Sequence, residues 1–221
     1  MIVAIDGPAA SGKSTTARAV AARLGFRHLD SGAFYRALVF AAVEAGVPPE
    51  RWDSLDERAL DALRVSGRPG QEGFRLFVGE RDVTDLLRSD EVNRHVSAMA
   101  SIPAVRAWLL HPLRAAAEGV DLVADGRDIG TVVFPEAEVK VFLIADPLER
   151  ARRRLRERGG EEPKQPGVRA EADRLLARDR QDSERAVAPL VRAPDAVQVD
   201  TTNLTFDEQV ERIVTLVRDR R

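Results

Sequence analysis

The chain has 221 residues, 44% of them hydrophobic and 32% charged, with a formal net charge of −2 and a sequence pI near 6.0. That length allows one substantial core with room for an inserted subdomain, and the near balance of charge excludes a general basic field for nucleic acid, so any anion must be bound locally. Cysteine is absent, no apolar run is long enough to cross a bilayer, and the chain enters its first strand without a charged-then-apolar leader; a cytoplasmic, monomeric protein acting on small molecules is expected.

Ile2-Val-Ala-Ile-Asp6 is apolar and β-branched enough for a buried strand, and Ser14 to Leu24 carries Ala17, Val20, Ala21 and Leu24 at helical spacing. Between them run Gly7, Pro8, Ala9, Ala10, Ser11, Gly12, Lys13, Ser14 and Thr15. This is the spelling of a phosphate loop in the context a phosphate loop requires. Gly7 and Gly12 give backbone freedom and close approach, so that successive N–H groups and the helix N-terminus surround an anion. Lys13 is then placed to reach the β and γ phosphates, and the Ser14 hydroxyl to reach Mg²⁺. A glycine-rich turn with a surface lysine would not need all of these positions at once.

Next, "FRHLD" reads as a short strand and "AFYRALVFAAVEAG" as an amphipathic helix ended by Gly46 and Pro48-Pro49. Between Trp52 and Gly119 the rhythm changes: a short helix over 56–63, a strand with Phe74, Leu76 and Val78 alternating before a Gly79-Glu80 turn, and two helices meeting at Pro103. Residues of about 51–118 therefore look like an insertion into a core formed by about 1–50 and 119–221. From "VDLVAD" the α/β rhythm returns with "VKVFLIA" at 139–145, an arginine-studded helix from Pro147 to Arg158, the loop-like "GGEEPKQPG", a helix near 169–185, the strand "AVQVD" and a helix from Phe206 to Val217. Five strands alternating with helices predict an α/β fold: an open parallel sheet with helices on both faces and ligands in the crevice beyond the strand C-termini.

Three further stretches border that crevice, "LDSGAFYR" at 29–36, "ADGRDIGTVVFP" at 124–135 and "ARDRQDSERAVAPL" at 177–190, and together they supply a ring of arginines. Phosphoryl transfer needs such a ring, because its transition state spreads charge over three oxygens that rigid guanidinium forks hold in line. Arg127, between Asp125-Gly126 and Asp128 just past a buried strand, is the strongest candidate, whereas Arg152, Arg153 and Arg156 read as a solvated helix face. Asp125 is also placed as a water-mediated Mg²⁺ partner beside the phosphate loop.

These four motifs, in this order, make the chain similar to bacterial cytidylate kinases of the nucleoside monophosphate kinase group, a P-loop NTPase-type family. The resemblance covers nearly the whole length. It implies a five-stranded parallel core, an inserted monophosphate-binding subdomain, a mobile lid here spanning about 157–168, and ATP-dependent phosphorylation of CMP and dCMP. By the same resemblance Ser31, Tyr35 and Arg36, with Arg127 and Arg185, contact the acceptor phosphate; Arg178 and Asp182 hold the ribose; and Ser97, Arg106 and Asp128 read the base. Lys13, Arg127, Arg185 and Asp125 form the catalytic set, and Arg150 and Arg154 at the root of the lid reach the donor phosphates. Ala9-Ala10 departs from the small polar or glycine residue of many relatives. A GTPase would want a guanine-reading Asn-Lys-x-Asp segment, which neither Asn93 nor Asn203 provides. A kinase for shikimate or AMP would lack the inserted strand pair or carry a different acceptor loop.

Overall fold

The computed structural model describes residues 1–71, 73–159 and 164–220. From the N-terminus run β1 (Ile2–Asp6), α1 (Lys13–Leu24), β2 (Arg27–Asp30), α2 (Ser31–Glu44), α3 (Glu57–Ala62), β3 (Val65–Pro69), β4 (Phe74–Val78), β5 (Arg81–Asp82), α4 (Asp90–Met99) and α5 (Pro103–Ala115). They are followed by β6 (Leu122–Gly126), β7 (Val139–Ile144), α6 (Pro147–Gly159), α7 (Gln165–Ser183), β8 (Val197–Asp200) and α8 (Phe206–Arg218). No helix among the described residues is long and apolar enough to cross a membrane.

The five expected strands form one parallel sheet in the order β2-β6-β1-β7-β8. Side chains alternate between its faces. Val3, Ile5, Val123 and Val141 pack with Val20 of α1 and Ile213 and Val217 of α8, while Ala4, Leu29, Leu122 and Ala124 pack with Phe34 and Leu38 of α2. Burial on both faces is why β1 reads as a nearly continuous apolar run.

The insertion shares the second of these clusters, which continues through Trp52, Leu60, Leu76, Val92, Met99 and Leu109. Its strands β3, β4 and β5 form an antiparallel sheet. The sequence predicts the β4–β5 pair and not β3, because Val65-Ser-Gly-Arg-Pro69 has no apolar alternation; Gly67 stands there because the Phe34 ring fills the space a side chain would need. Two helix starts also differ from expectation. Helix α2 begins at Ser31, where Asp30 accepts from the Ala33 amide at 3.1 Å as an N-cap, and α7 begins at Gln165. Of the stretch expected as a lid, 157–159 and 165–168 are helical, and 160–163 lie outside the described residues.

Candidate active site

The phosphate loop leaves β1 at Gly7, whose φ is 151° and whose Cβ, if it had one, would fall on the Leu143 carbonyl of β7. The loop can therefore run flush against the sheet only with glycine. Gly7→Ala is expected to cost about 3 kcal/mol of stability, through backbone overlap and an unfavourable φ together; an unchanged melting temperature would refute this. At the other end Gly12, φ 85°, precedes α1 with no side chain capping the helix, so its first amides are open to an anion. Ala10 stands at φ 56°, a left-handed conformation that glycine adopts freely and alanine at about 1 kcal/mol. Glycine at position 10 would hold this backbone without that cost. Lys13 is buried, its Nζ donating to the Pro8 carbonyl at 2.6 Å, and burial, then Arg127, pull its pKa well below the usual lysine value.

Arg150 does not line the cavity beside the phosphate loop. It is buried beneath the loop, where Nη1 donates to the Ala9 carbonyl at 2.8 Å and to Asp179 at 2.5 Å, while Asp179 accepts from the Ala9 amide at 2.7 Å. Arg150 and Asp179 thus brace the loop from below. Arg154 does line that cavity, with Ala9, Ala10, Gly12, Lys13, Ser14 and Thr15.

Asp125, at the end of β6, accepts from the Ser14 hydroxyl at 2.6 Å on Oδ2 and lies 2.7 Å from His28 Nε2 on Oδ1. Burial would raise its pKa, but the contacts with His28 and Ser14 and the charge of Lys13 outweigh burial and hold it below the ordinary value. Asp6 ends β1 on the opposite face, and its two oxygens accept from the Ile129 and Gly130 amides, both at 2.8 Å. It fixes the turn that follows Arg127 and Asp128. Burial dominates here and pushes the carboxyl from 3.8 up to about 6. With the folded value above the unfolded one, this group's stabilisation is complete below about pH 4 and is lost as pH rises through about 6. Relative to Asp6→Asn, which does not titrate, wild type should therefore gain about 2–3 kcal/mol of unfolding free energy between pH 7 and pH 4. Denaturant titrations at several pH values check this, and a difference flat in pH would refute it.

Beyond Asp125 lies a second cavity, lined by Ser31, Tyr35, Arg36, Ser97, Arg106, Arg127, Asp128, Arg178, Asp182 and Arg185. These come from α2, α4, α5, α7 and the segments following β6 and α7, so the fold gathers residues far apart in sequence. At one end Arg106 Nη2 is paired with Asp128, Nη1 donates to the Ala100 carbonyl at 2.8 Å, and the guanidinium lies 5.4 Å from the Tyr35 ring centroid. Toward the phosphate loop, Arg127 Nε donates to Asp182 at 2.9 Å and Arg178 Nε is buried without a partner, as is Nη2 of Arg185, which lies near Arg106, Asp128 and Tyr35. Burial, then Arg127, lowers Arg178 to about 10; burial likewise lowers Arg36 and Arg185. Ser14, Arg36, Arg127 and Arg178 line both cavities and form the wall between them.

Comparison with known proteins spans all the segments that build this geometry. The family profile described as cytidylate kinase matches residues 3–219. The chain belongs to the cytidylate kinase family. Among similar curated cytidylate kinases, that of Exiguobacterium sibiricum is 45% identical across 97% of this chain and 95% of its own length, and that of Geobacillus thermodenitrificans 46% identical across 99% and 96%. Among solved structures, an uncharacterised protein from Eubacterium ventriosum covers 99% of this chain and 98% of its own with a TM-score of 0.52 at 12% identity, a likeness of fold. In this cytidylate kinase family member, sequence reasoning missed Asp6, His28 and Asp179. Each acts through a contact spanning many residues of chain, which periodicity cannot register; only Asp6, a carboxylate at the end of an apolar strand, carried a local signal.

Proposed function

We propose that this chain transfers the γ-phosphoryl group of ATP to CMP or dCMP, releasing ADP and CDP or dCDP. The observation that carries the reading is the shared wall: Ser14, Arg36, Arg127 and Arg178 border both the phosphate loop and the second cavity, so two ligands held there would present their phosphates to one another across the same guanidinium groups. On this reading Lys13 and the loop amides hold the donor phosphates, and Arg36, Arg127 and Arg185 hold the acceptor phosphate with Ser31 and Tyr35 beside them. Burial pushes the Tyr35 hydroxyl up to about 12, so it serves as a neutral donor. Arg178 and Asp182 hold the ribose. The converging guanidinium groups stabilise charge on the transferring oxygens and align the two ligands.

Ser14 and Asp125 fit Mg²⁺, because a hydroxyl beside a carboxylate kept ionised is the oxygen set such an ion takes along with phosphates and water. When bound, Mg²⁺ would neutralise charge on the β and γ phosphates. Arg154 Nε lies 3.0 Å from Glu171 of α7, and we place it as the residue that leaves Glu171 for the donor when the stretch of about 157–168 closes as a lid.

A panel of CMP, dCMP, UMP, AMP and shikimate with ATP and Mg²⁺ tests the assignment. Diphosphate formation from CMP and dCMP is expected. Slow ATP hydrolysis with no phosphorylated acceptor, or a preference for AMP or shikimate, would overturn it.

A further inference from the structure

We propose that His28 is a positioning residue for the donor site: it holds one oxygen of Asp125 so that the other stays aimed at Ser14. The inference rests on reading Ser14 and Asp125 as the Mg²⁺ side of the site. In the β2–β6 register His28 stands opposite Val123, and Asp125, two residues further along β6, projects on the same face, toward α1. Both side chains are buried, at 5% and 2% exposure. An ionised carboxylate only accepts hydrogen bonds, so the 2.7 Å contact requires the proton on Nε2. The opposite oxygen takes the Ser14 hydroxyl at 2.6 Å.

Two further contacts keep this arrangement from turning. The Asp125 carbonyl accepts from Ser31 Oγ at 2.8 Å, which fixes the backbone. Behind His28 the start of β4 lies against the strand: Gly73, φ 144°, is so near that a Cβ there would stand 2.6 Å from the His28 carbonyl and 3.6 Å from its Cβ. The inserted hairpin thereby backs the histidine. A partner that orients a ligand residue tunes metal affinity without touching the metal, typically by 10- to 100-fold.

The test is equilibrium binding of ATP, measured calorimetrically in EDTA and across a Mg²⁺ titration, in wild type, His28→Leu and His28→Gln. Glutamine places an N–H donor where Nε2 stands; leucine keeps the bulk and removes the donor. The expected result is that His28→Leu weakens the Mg²⁺-dependent part of binding by about 10-fold or more, that His28→Gln restores most of it, and that affinity in EDTA is equal in all three. Unchanged Mg²⁺ dependence in His28→Leu, an equal loss in EDTA, or a glutamine variant as weak as leucine would overturn the proposal. If wild type itself binds ATP no better with Mg²⁺, the donor-site reading falls, and this proposal with it. Nitrogen NMR of His28 in wild type decides independently of how the variants fold: a protonated, exchange-protected Nε2 is expected, and a bare Nε2 with the proton on Nδ1 would overturn the role.

Discussion

Replacing Lys13 with alanine is expected to lower kcat by at least about 100-fold while the protein remains folded. On the proposed reading the lysine faces the donor phosphates where charge develops, and losing one preorganised electrostatic contact of this kind costs roughly 3 kcal/mol or more of barrier. Its burial sharpens the prediction. With 5% of its surface exposed and its Nζ on the Pro8 carbonyl, Lys13 carries a charge that the fold disfavours, since burial is the leading cause of its lowered pKa. The folded state therefore does not depend on it, and the melting temperature of Lys13→Ala should stay within a few degrees of wild type. Steady-state kinetics alongside a thermal melt separate the two effects. Near-normal turnover would remove the phosphate-loop assignment.

Arg106→Met should cut kcat/KM for CMP about 10- to 100-fold more than that for UMP. Cytosine offers acceptors at O2 and N3 and a donor at its exocyclic amine, which a cation and a carboxylate or hydroxyl complement; Arg106, Asp128 and Ser97 line the cavity proposed for the acceptor. Uracil reverses two of these groups, and each mispairing leaves a desolvated polar atom at about 1–3 kcal/mol. The variant also strips Asp128 of its buried partner, which destabilises the fold. The CMP to UMP ratio within one enzyme is insensitive to the fraction folded and so isolates base recognition. If the ratio is the same in wild type and Arg106→Met, Arg106 does not read the base.

The parts of this molecule legible in the sequence are those in which cause and consequence are close along the chain. Ile2 to Thr15 spell strand, loop and helix within one turn of each other, and β1 and β6 announce themselves because each is buried on both faces. The acceptor residues were legible in another way. Arg127 stands out by its acidic and glycine neighbours, but Ser97 reads as an ordinary helix serine, and only family resemblance singled it out. What stayed hidden depends on burial between distant segments. The Arg150–Asp179 brace under Ala9 spans 29 residues and the His28–Asp125 contact 97, and no local pattern distinguishes Arg150, which holds the loop, from Arg154, which lines the cavity. The strand β3 was hidden because its central residue is glycine for the benefit of a ring on α2.

The partnerless guanidinium atoms of Arg178 and Arg185, and the lowered pKa values around them, also bear on how this protein is handled. Cations desolvated beside one another are relieved by any small oxyanion, and whatever binds only the folded form raises its stability by mass action. Phosphate and sulfate in a buffer are then expected to act as weak competitive occupants of the cavity that Arg178 and Arg185 line. Preparations in such buffers would melt later and show a larger KM for the nucleotide monophosphate than preparations in chloride at equal ionic strength.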